Sequence, residues 1–212
     1  VLEFIEGNDL EALLEKTQGF FPEEQVIAWA LELCDVLHYL HNHKPEPIIF
    51  RDMKPSNIMI NQHGHVMLVD FGIAKHFQIG QKGTMIGTEG YAPPEQYRGE
   101  ASHLSDIYAL GATLHHVLTR KDPRMEAPFY FTDVPVRKIN PSVSPELEAV
   151  INTAVQYNPE DRFQSIQAMR EALLNVAKKT GALVPMGLST RQIQASPSDI
   201  QPIWKFECED EI

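Results

Sequence analysis

The apolar positions of the chain fall into two periods. Across residues 22–41, Val26, Trp29, Ala30, Leu33, Leu37 and Leu40 recur every three or four places, the spacing of one helical face. Pro22 opens that stretch with Glu23 and Glu24 behind it, a proline and two acids where a helix start favours them. Similar stripes run through Ile107, Leu110, Gly111, Leu114, Val117 and Leu118 after Ser105-Asp106, and through Leu147, Val150, Ile151 and Ala154 after Ser144-Pro145. A last one joins Ile166, Met169, Leu173 and Val176, with Lys178-Lys179 and Gly181 closing it. Each predicts a helix that packs by one face and carries its own start or stop signal. Leu10, Leu13 and Leu14 after Asn8-Asp9 predict a shorter helix. Residues 58–60 and 66–69 are instead brief apolar runs split by Asn61-Gln62-His63-Gly64, which predicts a hairpin. The expected fold is therefore mainly α with short β-hairpins.

The remaining stretches lack a period. Residues 125–145 hold Pro128, Pro135, Pro141 and Pro145 among Phe129, Tyr130 and Phe131, and predict an irregular, partly exposed connection. Gly80, Gly83, Gly87 and Gly90 mark residues 70–95 as an exposed loop. The first domain is expected to end near residue 180, with 181–202 a linker rich in Ser, Gln and Pro. Residues 203–212 alternate apolar and polar as a strand would, and read either as the first strand of a following domain or as a frayed acidic tail. Residues 1–7 are strand-like as well, and a chain opening there at Val1 reads as a cut through a domain.

Composition narrows the classes. With 212 residues, 43% of them hydrophobic and 22% charged, the chain can bury one good-sized core. Its net charge of -11 disfavours nucleic acid and anionic membrane surfaces as partners, both of which need basic contacts. Cys34 and Cys208 form no disulfide framework, which suits a reducing, cytoplasmic setting. No apolar run is long enough to span a membrane, and no secretory signal pattern opens the chain. His38, His41 and His43 lack ligand company at metal spacing and read as surface groups, and His115-His116 point in different directions on one helix.

The chemistry concentrates in residues 50–57, Phe-Arg-Asp-Met-Lys-Pro-Ser-Asn. Asp52, Lys54 and Asn57 offer a carboxylate to orient a hydroxyl, an ammonium to hold a phosphate and an amide oxygen for a hard cation. A second carboxylate follows in Asp70-Phe71-Gly72, beyond the hairpin.

This pair of loops resembles the catalytic loop and metal loop of eukaryotic-type Ser/Thr protein kinases, nearest to the bacterial ones. The resemblance implies Asp52 as the base facing the substrate hydroxyl, Lys54 on the γ-phosphate, and Asn57 with Asp70 on Mg²⁺. It implies ATP as cofactor and Ser/Thr-bearing proteins as substrates. Phe50 stands where the family usually has His. Residues 1–7 resemble the hinge between kinase lobes, with Leu2 as gatekeeper, the backbones of Glu3 and Ile5 on adenine, Asp9 at the ribose or simply capping a helix, and Met59 in the ATP site. Residues 87–95, Gly-Thr-Glu-Gly-Tyr-Ala-Pro-Pro-Glu, resemble the end of an activation segment. Thr88 would then sit near Asp52 and Lys54. Thr84 is either an activating phosphosite met by Arg51 and Lys75 or a plain loop residue. Glu95 would pair with Arg162. Asp106 would either accept backbone hydrogen bonds from the catalytic loop or cap its helix. The resemblance covers residues 1–179, so the chain reads as a kinase large lobe without the small N-terminal lobe, inactive by itself. The alternative is a pseudokinase or docking module. Residues 203–212 resemble the opening strand of repeats in PQQ-type β-propellers, and a membrane anchor could lie outside the chain.

Overall fold

The computed structural model describes residues 7–70, 87–126 and 128–181. Its spine is helix α2 (Glu23–His41), which buries Val26, Trp29, Ala30, Leu33, Leu37 and Leu40. That apolar face packs along α6 (Ile166–Thr180), whose Ile166, Met169, Leu173 and Val176 are buried against it. Helix α3 (His103–Thr119) lies between α2 and α5 (Pro145–Ala154) and is buried nearly throughout. Gly111 permits the close approach of α3 and α5, because a Cβ there would stand 2.7 Å from the Ala154 Cβ and 2.9 Å from the Val155 Cγ1.

The caps follow hydrogen-bond chemistry. Ser144 accepts from the Leu147 N–H to open α5, and Ser165 from the Ala168 N–H to open α6. Helix α3 begins earlier than the sequence predicts. Ser102 is its cap and exchanges bonds with Ser105 in a capping box, which frees Asp106 for other work.

A three-stranded antiparallel sheet packs against α2. Strand β1 (Gly7–Asp9) pairs with β2 (Ile58–Asn61), and β2 with β3 (Val66–Leu68). Sequence patterning yields the hairpin and a strand-like run over residues 1–7, but not a strand at Gly7–Asp9, since three residues show no alternation. Asp9 ends β1 and caps α1 (Leu10–Lys16), accepting from the Ala12 N–H at 2.7 Å. The hairpin turn is tied to α2 by the Trp29 indole N–H on the Gly64 carbonyl and by the Val66 N–H on the Glu32 carboxylate.

Residues 125–145 are partly exposed as expected, with Met125 exposed, but carry more order than their lack of period suggests. A 3-10 turn at Pro123–Met125 leads into a second at Tyr130–Thr132 and helix α4 (Val136–Ile139), and Tyr130, Phe131 and Val136 are buried. The two aromatics complete a second core cluster with Tyr91, Tyr108, Ala112 and Val155. Aromatic burial needs no period, only a pocket, so periodicity could not foretell it. His115 and His116 are likewise buried, on the Val134 carbonyl and the Tyr91 hydroxyl. The linker expected past Gly181 and residues 203–212 lie outside the described residues. Among the described residues no helix is long and apolar enough to cross a membrane.

The turn at Glu95 is locked to the lobe by Arg162. Their contact is bidentate, Nη1 to Oε1 at 2.6 Å and Nη2 to Oε2 at 3.0 Å, with the arginine side chain fully buried. Every Arg162 nitrogen finds a further acceptor, on Leu104, Tyr157 or Gln156, and the guanidinium lies 4.8 Å from the Tyr108 ring centroid. Burial alone would raise the Glu95 carboxyl; hydrogen bonds from Arg162 and Ser105 outweigh it and hold the group below the usual glutamate range. A group depressed in the folded state stabilises the fold above its unfolded pKa of about 4.3 and loses that contribution as pH falls through its folded value. Glu95→Gln leaves the guanidinium buried without a counter-charge, so we expect a loss on the order of 3 kcal/mol at neutral pH. Thermal melts at pH 7 and pH 3 check both parts: the wild type should lead at pH 7, and the gap should narrow on acidification.

Candidate active site

The loop that carries Asp52 is held by its backbone. Asp106, fully buried in the first turn of α3, accepts the Phe50 N–H at Oδ2 (2.9 Å) and the Arg51 N–H at Oδ1 (2.8 Å). His41 Nε2 at the end of α2 meets the same Oδ2 at 2.8 Å. Sequence reading set His41 on the surface; its side chain is only 8% exposed, since the last turn of α2 points it at Asp106. From the other side the Gln96 amide donates to the Arg51 carbonyl at 2.8 Å. Gripped on both groups, Arg51 takes a left-handed φ of 68°, a conformation uncommon for a side-chain-bearing residue and costly unless its surroundings enforce it. Phe50 and Met53 are buried in the main core, and the Thr113 hydroxyl donates to the Met53 carbonyl.

Asp52 is the centre of a small polar cluster. Its Oδ1 accepts the Thr88 hydroxyl at 2.7 Å, and its Oδ2 accepts the Asn57 amide at 2.9 Å and lies 3.1 Å from the Lys54 ammonium. Lys54 also donates to Thr88 Oγ1 at 2.7 Å. Partial burial would raise the Asp52 carboxyl, but bonds from Thr88, Lys54 and Asn57 and the Lys54 charge carry it below the usual aspartate range. At neutral pH Asp52 is therefore a carboxylate.

Asn57 and Asp70 are set by the hairpin. The register Ile58↔Leu68 places Asn57 opposite Val69, and the Val69 N–H donates to the Asn57 carbonyl at 3.0 Å. Asp70 follows with a left-handed φ of 53° and stands exposed. The Asn57 Nδ2 donates twice to Asp52, to its backbone carbonyl and its carboxylate, so the amide oxygen is the atom left to meet a cation. One amide oxygen and one exposed carboxylate at the same end of a hairpin fit a hard cation that keeps several waters. Among the described residues no group of three or more His, Cys, Asp or Glu could hold a metal.

Of the residues predicted from sequence, the structure gathers Arg51, Asp52, Lys54, Asn57, Thr88 and Asp106 around one loop. It also sets Asp9 and Met59 opposite each other in the β1–β2 register. Glu95 and Arg162 brace that loop's surroundings. Leu2, Glu3, Ile5, Lys75 and Thr84 lie outside the described residues.

Residues 1–174 match the protein kinase domain family. The chain belongs to that family. It is 33% identical to the serine/threonine-protein kinase PknB of Mycolicibacterium smegmatis, over 94% of this chain and 34% of that protein. It is 37% identical to PknA of Nostoc sp., over 82% of this chain and 32% of that protein. The chain thus spans about a third of the length of these curated relatives. Among solved structures, the apo form of PpkA-294 matches with a TM-score of 0.66 at 28% identity, over 81% of this chain and 61% of the other. The Mycobacterium tuberculosis PknI kinase domain matches with a TM-score of 0.65 at 22% identity, over 84% and 64%, a likeness of fold. The kinase domain is thus of the bacterial eukaryotic-type Ser/Thr class.

The Asp106 grip can be tested directly. Asparagine offers one acceptor oxygen where two N–H groups need one each, so Asp106→Asn should leave Phe50 or Arg51 facing a donor. We expect a loss of about 1–3 kcal/mol, with faster amide hydrogen exchange at Phe50 and Arg51 than in α6. Unchanged exchange at both amides would show that Asp106 does not hold the loop.

Proposed function

We propose that the chain is the large lobe of a protein kinase whose parent transfers the γ-phosphate of ATP to Ser or Thr of proteins. The observation that carries this reading is the Asp52 carboxylate, ionised and aimed at a hydroxyl, with the Lys54 ammonium bonded to the same hydroxyl. A substrate hydroxyl brought beside Thr88 would meet the same pair. Asp52 would orient it as acceptor. Being a weak base, Asp52 would take the proton only once the attacking oxygen has grown acidic, late in transfer. Lys54 would lie against the transferring phosphate.

Asn57 and Asp70 would hold Mg²⁺, and Mg²⁺-ATP when bound supplies the phosphoryl group and offsets its charge. Met59 and the backbones of Glu3 and Ile5 would contact adenine. Asp9 uses one oxygen as a helix cap, leaving the second for the ribose. A phosphate on Thr84, met by Arg51 and Lys75, would be the activating modification. The setting proposed for this lobe is cytoplasmic, with any anchor elsewhere in the parent. Phe50 is compatible with this chemistry: its backbone N–H makes the Asp106 bond, and its ring fills a buried apolar place.

The glycine-rich phosphate loop and strand lysine that the resemblance requires are not among these 212 residues, so the chain alone is proposed to be inactive. Phosphotransfer from γ-labelled ATP with Mg²⁺ to a basic Ser/Thr protein should be measured for this chain alone and for the chain joined to a kinase small lobe. We expect transfer by the joined form only, abolished by Asp52→Asn. A joined form that melts cooperatively yet transfers nothing would favour the docking module, and activity of the chain alone would refute its proposed inactivity.

A further inference from the structure

Two arginines after α3 reach across to α1. Arg120, the C-cap of α3, donates to the Leu14 carbonyl at 2.7 Å and the Gly19 carbonyl at 3.1 Å, satisfying the open end of α1. Arg124 engages the start of the same helix. Its Nη2 donates to Glu11 Oε1 and to Asp122 Oδ2, each at 2.6 Å. Its Nε lies 3.0 Å from both Asp122 oxygens, and its backbone N–H meets Asp122 Oδ1 at 2.9 Å. An open cavity of about 190 Å³ lies beside these pairs, with His116 and Glu15 in its wall.

The other side of this turn carries the segment that bears Thr88. Gly90 has a left-handed φ of 86°, and a Cβ there would stand 2.6 Å from the Pro123 carbonyl and 2.8 Å from the Arg124 nitrogen. Backbone therefore rests on backbone. The Thr88 carbonyl accepts from the Tyr91 and Ala92 N–H groups, both at 3.2 Å, and the Tyr91 hydroxyl bonds His116 Nδ1 at 2.7 Å. Thr88 Oγ1 closes the path on Asp52 and Lys54. Glu11 stands two residues past Asp9, so the path starts beside the ATP side of the proposed site.

We propose that Arg124 is a positioning residue: through Glu11 and Asp122 it ties α1 to the turn beneath Gly90 and so seats Thr88 on Asp52. The inference that this serves substrate binding rests on the kinase reading; the tie itself does not. Its side chains are partly exposed, 42% for Arg124 and 30% for Glu11, so solvent screens the charges and each pair is modest in strength.

The test is amide hydrogen exchange at Tyr91 and Ala92 in Arg124→Ala, Arg124→Lys and Glu11→Gln. A network worth up to about 1 kcal/mol predicts exchange about 2- to 5-fold faster in Arg124→Ala and Glu11→Gln, with α2 and α6 unchanged and partial recovery in Arg124→Lys. Glu11→Gln is decisive because Glu11 is on α1 and not on the turn. Unchanged exchange in that variant overturns the tie. In the form carrying a small lobe, KM for the protein substrate should rise by the same factor while KM for ATP holds; an unmoved protein KM overturns the positioning role. Should that form transfer no phosphate at all, the kinase reading fails and the exchange result still decides the tie.

Discussion

A buried carboxylate organises the loop that carries Asp52. Asp106 has no exposure, and burying an ionised group is costly unless its oxygens are fully bonded. Here two backbone N–H groups and His41 offset that cost, and the first turn of α3 adds the favourable end of a helix dipole. The converse is that the loop cannot leave without stranding the charge. Everything that fixes α3 therefore fixes Asp52: the Ser102–Ser105 capping box, the close contact at Gly111 with α5, and the Glu95–Arg162 pair that ties Ser105 in as well. Asp52 and Lys54 sit on irregular chain, yet a helix registers them.

Much of this was legible in the sequence because it depends on local pattern. The stripes of α2, α3, α5 and α6 and the hairpin around Asn61 follow from period and punctuation alone, within a residue or two at the ends except at the start of α3, which lies three residues earlier. The cluster of Asp52, Lys54 and Asn57 was legible for a similar reason, being packed into one short loop. What local pattern could not supply was pairing across distance. His41 stands 65 residues from Asp106 in sequence, and nothing in its neighbourhood distinguishes it from His38 or His43. Strand β1 exists because β2 offers it a ladder. Tyr130 and Phe131 are buried because Tyr91 and Tyr108 leave them a pocket. Ser102, not Ser105-Asp106, caps α3; two serines three apart suit either assignment until the backbone is seen.

The sheet contributes geometry more than stability. Its strands are short, and a three-stranded sheet of this length would not stand by itself in water. Trp29 and Glu32 on α2 anchor its turn, the Val69 N–H closes its open end on Asn57, and β1 ties it to α1. The result is a hairpin whose turn is held by one helix and whose open end carries both Asn57 and Asp70.

The Asp52 carboxylate already carries a hydroxyl. Thr88 occupies Oδ1 with the same functional group that a serine or threonine would bring. In the proposed reaction an incoming hydroxyl would share that oxygen through its second lone pair, with Thr88 still in place. The seated Thr88 would then mark out where the acceptor's oxygen comes to lie. No carboxylate oxygen would stand naked before the acceptor arrives.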